Sequence, residues 1–130
     1  MSIDLRHDSE KGFLIITVTG ELSHEEYKAV MNEITQSEQY PADINALWDV
    51  REQDFKKVTS TTVKNIIDIS RQYPERGSSQ VAFVVKDNLA FGMLRMYEMA
   101  SGAETLDTSQ NLRVFRDYTE AEKWLLNEGS

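Results

Sequence analysis

Six charged residues fall where strands are predicted to end: Glu21, Asp49, Arg51, Asp87, Arg116 and Asp117. In a parallel sheet the carboxyl ends of the strands share one rim, the usual ligand edge of open α/β folds, so these side chains are the candidates for acid–base work. The plainer reading is that Asp87 caps a helix and the others are solvated loop charges. A phosphoacceptor pocket would want an acidic pair after the first strand of the wound series, where the chain has Thr19-Gly20-Glu21-Leu22. A second constellation is Lys56-Lys57-Val58-Thr59-Ser60-Thr61-Thr62, which gathers cations and hydroxyls at a predicted helix start, where free N–H groups and the helix dipole favour an anion. Lys56, Lys57, Ser60 and Thr61 are therefore candidates for anion binding or phosphorylation; the competing reading is that Thr59 or Ser60 merely caps the helix.

His7 and His24 are the only histidines, and cysteine is absent. The chain has no GxSxG or HExxH motif and no glycine-rich phosphate loop of the GxxxxGK[ST] or GxGxxG type. Covalent and zinc-dependent catalysis both lack parts, so no catalytic residue, metal or cofactor is expected.

The other unusual segment is LAFGMLRMYEMASG (89–102), which holds three of the five methionines. Projected at about 100° per residue, Leu89, Met93, Met96 and Ala100 form a stripe expected to face the core. Ala90 and Tyr97 flank it on one side, Gly92 and Met99 on the other. Phe91 projects opposite the stripe, beside Arg95 and Glu98, with Leu94 between it and the core. Phe91, Leu94, Met96, Tyr97 and Met99 are accordingly candidates for ligand or membrane contact, where methionine's flexibility suits an adaptable surface.

These residues need elements to hold them. IDLRH (3–7) alternates like an edge strand, and DSEKG turns it into GFLIITVTG (12–20). Ser23 opens the capping box SHEE, with Tyr27, Val30, Met31 and Ile34 following at helical spacing until Pro41. NALWDV (45–50) reads as a strand, residues 59–73 as a helix stopped by Pro74, and QVAFVVK (80–86) as a strand buried on both faces. Asp87 or Asn88 caps the helix at 88–101. NLRVFR (111–116) is the last strand, and TEAE (119–122) opens a closing helix with Ala121, Trp124 and Leu125. The order is ββαβαβαβα: an α/β domain with one mixed, mostly parallel five-stranded sheet and right-handed crossover helices. Tyr40-Pro41 and Tyr73-Pro74 precede consecutive strands, a weak internal echo of one strand–helix unit.

A chain of 130 residues, 40% of them hydrophobic, suits one domain spanning 1–130. No run approaches the roughly 18 apolar residues of a membrane span, and the N-terminal stretch lacks an apolar signal core, so a cytoplasmic protein with at most peripheral membrane contact is expected. The formal charge of −8 argues against nucleic acid and anionic lipid alike.

Taken together, ALWDV (46–50), VAFVVKDNLAFGMLRMYEM (81–99) and LRVFRDYTEAEKWL (112–125), in this element order, resemble the STAS family, named for sulfate transporters and anti-sigma-factor antagonists, in its SpoIIAA-like branch. The resemblance spans nearly the whole chain. It implies a βα superhelix, similar also to the core of CRAL-TRIO lipid carriers, and a regulatory or binding role without catalysis. Partner-switch members of that family carry a phosphorylatable serine in an Asp-Ser-Ser/Thr-Gly motif; Val58-Thr59-Ser60-Thr61-Thr62 keeps the hydroxyls but has neither the acid nor the glycine. The resemblance thus implies either an apolar or lipid-like ligand, with peripheral membrane contact through the 88–101 helix, or a protein partner met at 56–62. A homodimer is a further expected assembly.

Overall fold

A computed structural model describes residues 2–76, 78–103 and 111–126, with the backbone alone for Ser2, residues 97–103 and Asn111. The elements run β1 (Ser2–Asp8), β2 (Phe13–Gly20), α1 (His24–Gln36), β3 (Asn45–Gln53), α2 (Ser60–Ser70), β4 (Gln80–Val84), α3 (Asn88–Ala103), β5 (Asn111–Phe115) and α4 (Tyr118–Leu125), with a 3-10 turn at Pro74–Arg76. This is the predicted order. Spatial strand order follows the chain, β1-β2-β3-β4-β5, with β1 antiparallel to β2 and the other neighbours parallel. The β1–β2 turn closes at Gly12, whose φ of 80° is open to glycine at little cost and whose N–H donates to Asp8 O at 2.8 Å.

Strand alternation divides the core between the two sheet faces. Leu14, Ile16, Val18, Ala46, Trp48, Val50, Val81 and Phe83 meet α1, α2 and α3, whereas Phe13, Ile15, Leu47, Ala82 and Val84 meet α4. The uninterrupted runs FLII and VAFVV are apolar because both of their faces are covered. All three crossover helices thus crowd one face.

Helix starts follow from side-chain chemistry. The Ser23–Glu26 capping box forms in both directions, Ser23 N donating to Glu26 Oε1 at 2.8 Å and Glu26 N to Ser23 Oγ at 3.2 Å. Asp87 caps α3, its Oδ1 accepting from Ala90 N at 2.9 Å. Two boundaries depart from expectation. α2 ends at Ser70, and Pro74 opens the 3-10 turn instead of terminating the helix directly. α4 begins one residue before the predicted box: Asp117 is its cap, accepting from Thr119 N at 2.9 Å, while Glu122 reaches 2.5 Å to Lys11 Nζ.

The Tyr-Pro echo has a structural counterpart at the amino end of β3 and β4. Arg76, 2% exposed, leaves the 3-10 turn and donates through Nη1 to the carbonyls of Ala42 (3.0 Å) and Ile44. Burial pushes its pKa down from the usual guanidinium value. Ser78 Oγ to Asp43 Oδ2 (2.9 Å) and Gln80 N to Asn45 Oδ1 (2.8 Å) join the same two segments.

Candidate functional site

The charged rim resolves into pairs and caps. β3 continues to Gln53, helped by a register shift between Thr17 and Thr19 of β2, so Asp49 and Arg51 lie within the strand and not at its end. They sit on the α4 side: Arg51 Nε and Nη2 donate to the two Asp49 carboxylate oxygens at 2.8 Å each, and the guanidinium lies 5.2 Å from the Tyr118 ring centre. Those hydrogen bonds hold the Asp49 carboxyl below the usual carboxylate range, and burial pushes Tyr118 up. Asp87 and Asp117 are helix caps, and Glu21 stands 3.4 Å from Lys57. These contacts are those of the plainer reading, helix caps and surface pairs, and not those of an acid–base site.

At the start of α2, Thr59 is the cap and Thr62 reciprocates, each backbone N–H donating to the other's hydroxyl at 3.2 Å. Ser60 and Thr61 are exposed in the first turn, and Lys56 and Lys57 are exposed before it. The plain capping reading accounts for these contacts.

α3 is rotated from its projected orientation. The described side chain buried deepest is Ala90, at 3% exposure, whereas Leu89 and Met96, assigned to the core stripe, stand 49% and 41% exposed. Alanine's small side chain lets the helix approach the sheet closely, which brings Phe91, Met93 and Leu94 down half-buried against the core. Phe91 is not left facing solvent: the Arg116 guanidinium covers its ring, 4.5 Å from the centre. Met96 borders a groove between α2 and α3 with Ser60, Lys64, Ile67, Asp68 and Arg71. The side chains of Tyr97 and Met99 lie outside the described residues.

This rotation brings Met93 and Leu94 to an apolar cavity of about 70 Å³ at the carboxyl ends of β3 and β4. Trp48 and Phe83 form its floor, and Tyr27, Phe55, Val63 and Ile66 stand among its walls. Trp48 is stacked obliquely between Tyr27 and Phe83, with ring centres 5.6 and 6.0 Å away. The Tyr27 hydroxyl is turned to Ser70 Oγ, 2.8 Å away, which satisfies its hydrogen bond within the protein. Leu22, Val58 and Thr62 line both the cavity and an open groove of about 620 Å³ that runs past the starts of α1 and α2. That groove is acidic, with Glu21, Glu25, Glu26 and Asp54 against Lys57. Of the side chains singled out in the sequence, Leu94 lines the cavity directly; Val58 and Thr62, from the hydroxyl-rich segment, form its lip. Trp48, Phe83 and Tyr27 have the sequence signature of ordinary core, and only the large aromatic in the short run ALWDV distinguishes the place.

A family model described as SpoIIAA-like matches residues 13–126. The chain belongs to the SpoIIAA-like family. An uncharacterised DUF3478-family protein from Shewanella loihica PV-4, with a SpoIIAA-like fold, has a solved structure similar to this one: 20% identity, TM-score 0.59, covering 95% of this chain and 92% of that one. At that identity the likeness speaks for the fold. No curated protein matches the chain. SpoIIAA-like membership makes this a regulatory or binding domain in general terms, and within the described residues no helix is long and apolar enough to cross a membrane.

Proposed function

We propose that this SpoIIAA-like domain is a non-enzymatic binding module whose ligand inserts an apolar portion between α2, α3 and the sheet. The observation that carries the reading is the cavity floored by Trp48 and Phe83, lined almost wholly by hydrocarbon and open beside Leu22, Val58 and Thr62. Sites for drug-sized ligands run to roughly 300–1,000 Å³, so a cavity of about 70 Å³ takes one short chain or ring unless a wall moves. α3 is the wall suited to move. Among the described side chains it buries Ala90 fully, whereas α1 buries Tyr27, Val30, Met31 and Ile34.

The acidic groove sets the ligand's polar end. Four carboxylates against one lysine disfavour a carboxylate or phosphate there, so the ligand is a neutral or cationic amphiphile. Peripheral membrane contact would draw on Leu89 and Met96, exposed on α3, through hydrophobic insertion.

Native mass spectrometry of protein purified from its host is expected to reveal a co-purifying apolar molecule that is lost from Leu94→Phe, a variant that fills the cavity from its half-buried side. A clean apo mass for both proteins, with no liposome binding by the parent, would count against the reading. If instead Ser60 or Thr61 is phosphorylated and a protein partner is retained through that modification, the module works through the start of α2.

A further inference from the structure

The sheet ends on β1, an edge strand whose outer side has no neighbouring strand among the described residues. Open edges invite pairing, and natural proteins commonly blunt them with proline, bulges or charged side chains, lysine above all. β1 has no proline, and its pairing with β2 runs without a register break from Ser2 to Asp8. Ile3 and Leu5 turn toward the α1 side and pack half-buried against the main core. They also floor a groove walled by Glu26, Ala29, Val30 and Glu33 of α1. By strand alternation Asp4 and Arg6, both exposed, project from the opposite face.

We infer that β1 is a self-pairing edge that joins two copies of this chain across a two-fold axis at Leu5, extending the sheet antiparallel through its full length. The charge pattern selects both the occupant and the register. With Leu5 opposite Leu5 of the second copy, Asp4 faces Arg6 and Arg6 faces Asp4, while Ile3 faces His7 on the apolar side. Directly opposed unlike charges stabilise an antiparallel pair and like charges destabilise it. A slide of two residues one way sets Asp4 against Asp4; the other way sets Arg6 against Arg6 and Asp4 against Asp8. A slip of one residue sets the charged face against the apolar one. The arrangement is isologous and closed: the second copy caps the edge that it extends, leaving no further β1 to recruit a third chain. It does not depend on the cavity reading, whose floor lies on β3 and β4, away from the β1 edge.

The test is a charge-swap cycle in the full chain, read by sedimentation velocity over a concentration series, with thermal unfolding of each variant as the control for folding. Asp4→Arg alone and Arg6→Asp alone each turn two attractive pairs into two repulsive ones, and each is expected to weaken dimerisation by about tenfold or more. The double variant D4R/R6D restores opposite charges across the axis and is expected to recover the parent's association. A parent that stays monomeric up to about millimolar concentration overturns the inference and leaves the edge to a different protein strand. A dimer indifferent to the single swaps, or one that the double swap fails to rescue while all variants remain folded, also overturns it.

Discussion

Arg76 combines a buried guanidinium with two carbonyl acceptors and no carboxylate within its hydrogen bonds. Its worth is positional: it ties the segment before β3 to the turn before β4, at the amino ends of the strands whose far ends frame the cavity. Arg76→Ala would leave the Ala42 and Ile44 carbonyls without that donor and open a void where a large side chain is now enclosed. The expected cost is about 2–4 kcal/mol, measured as a lowered urea midpoint. A loss within about 0.5 kcal/mol would mean that water or a backbone shift replaces both contacts. Residue-scale chemistry of this kind is hard to read from a sequence. Arg76 lies between Glu75 and Gly77 in a stretch with every mark of a surface loop, and only the fold shows that the two Tyr-Pro segments close over it. The Ser23–Glu26 box was legible because both partners lie within one helical turn and answer to local geometry alone.

At the scale of elements, local signals place the helices but not always their faces. α3 is apolar almost all round its first half, with Leu89, Ala90, Phe91, Met93, Leu94 and Met96, so projection alone leaves several orientations similar in buried area. The close approach allowed by Ala90 decides among them, and Arg116, from the end of β5, covers the aromatic ring left over. That is why Leu94 turns inward to line the cavity while Leu89 and Met96, projected onto the core stripe, stand in solvent. α4 offers a direct comparison of two cap-competent residues two positions apart. Asp117 is the functioning cap, so Asp117→Ala is expected to cost about 1 kcal/mol and Thr119→Ala only a few tenths, compared by urea unfolding. Equal losses would show that the helix start shifts to Thr119 when Asp117 is absent.

Across the whole molecule, one asymmetry organises the rest. Three crossover helices share one face of the sheet and a short helix covers the other, so the space between helices, where an apolar cavity can persist, lies on the crowded face. The fold class and the order of elements along the chain were legible because each buried strand is flanked by turn and cap chemistry; the consecutive spatial order of the strands is what the structure adds. The cavity was not, because its walls come from five elements and two loops, and its aromatic and aliphatic wall residues taken singly are ordinary core. The two tryptophans provide a way to examine it. Trp48 lines the cavity, whereas Trp124 packs with Phe115 on the far side of the sheet, 5.7 Å between ring centres. In a Trp124→Phe background, Trp48 fluorescence reports the cavity alone. Titration with a brominated medium-chain alcohol is expected to quench it saturably, with weaker quenching by the brominated carboxylate of equal length and little in the additional Leu94→Phe variant. Emission that is unchanged up to the solubility limit of the alcohol, or quenched equally when Leu94→Phe fills the space, would contradict the binding-module account.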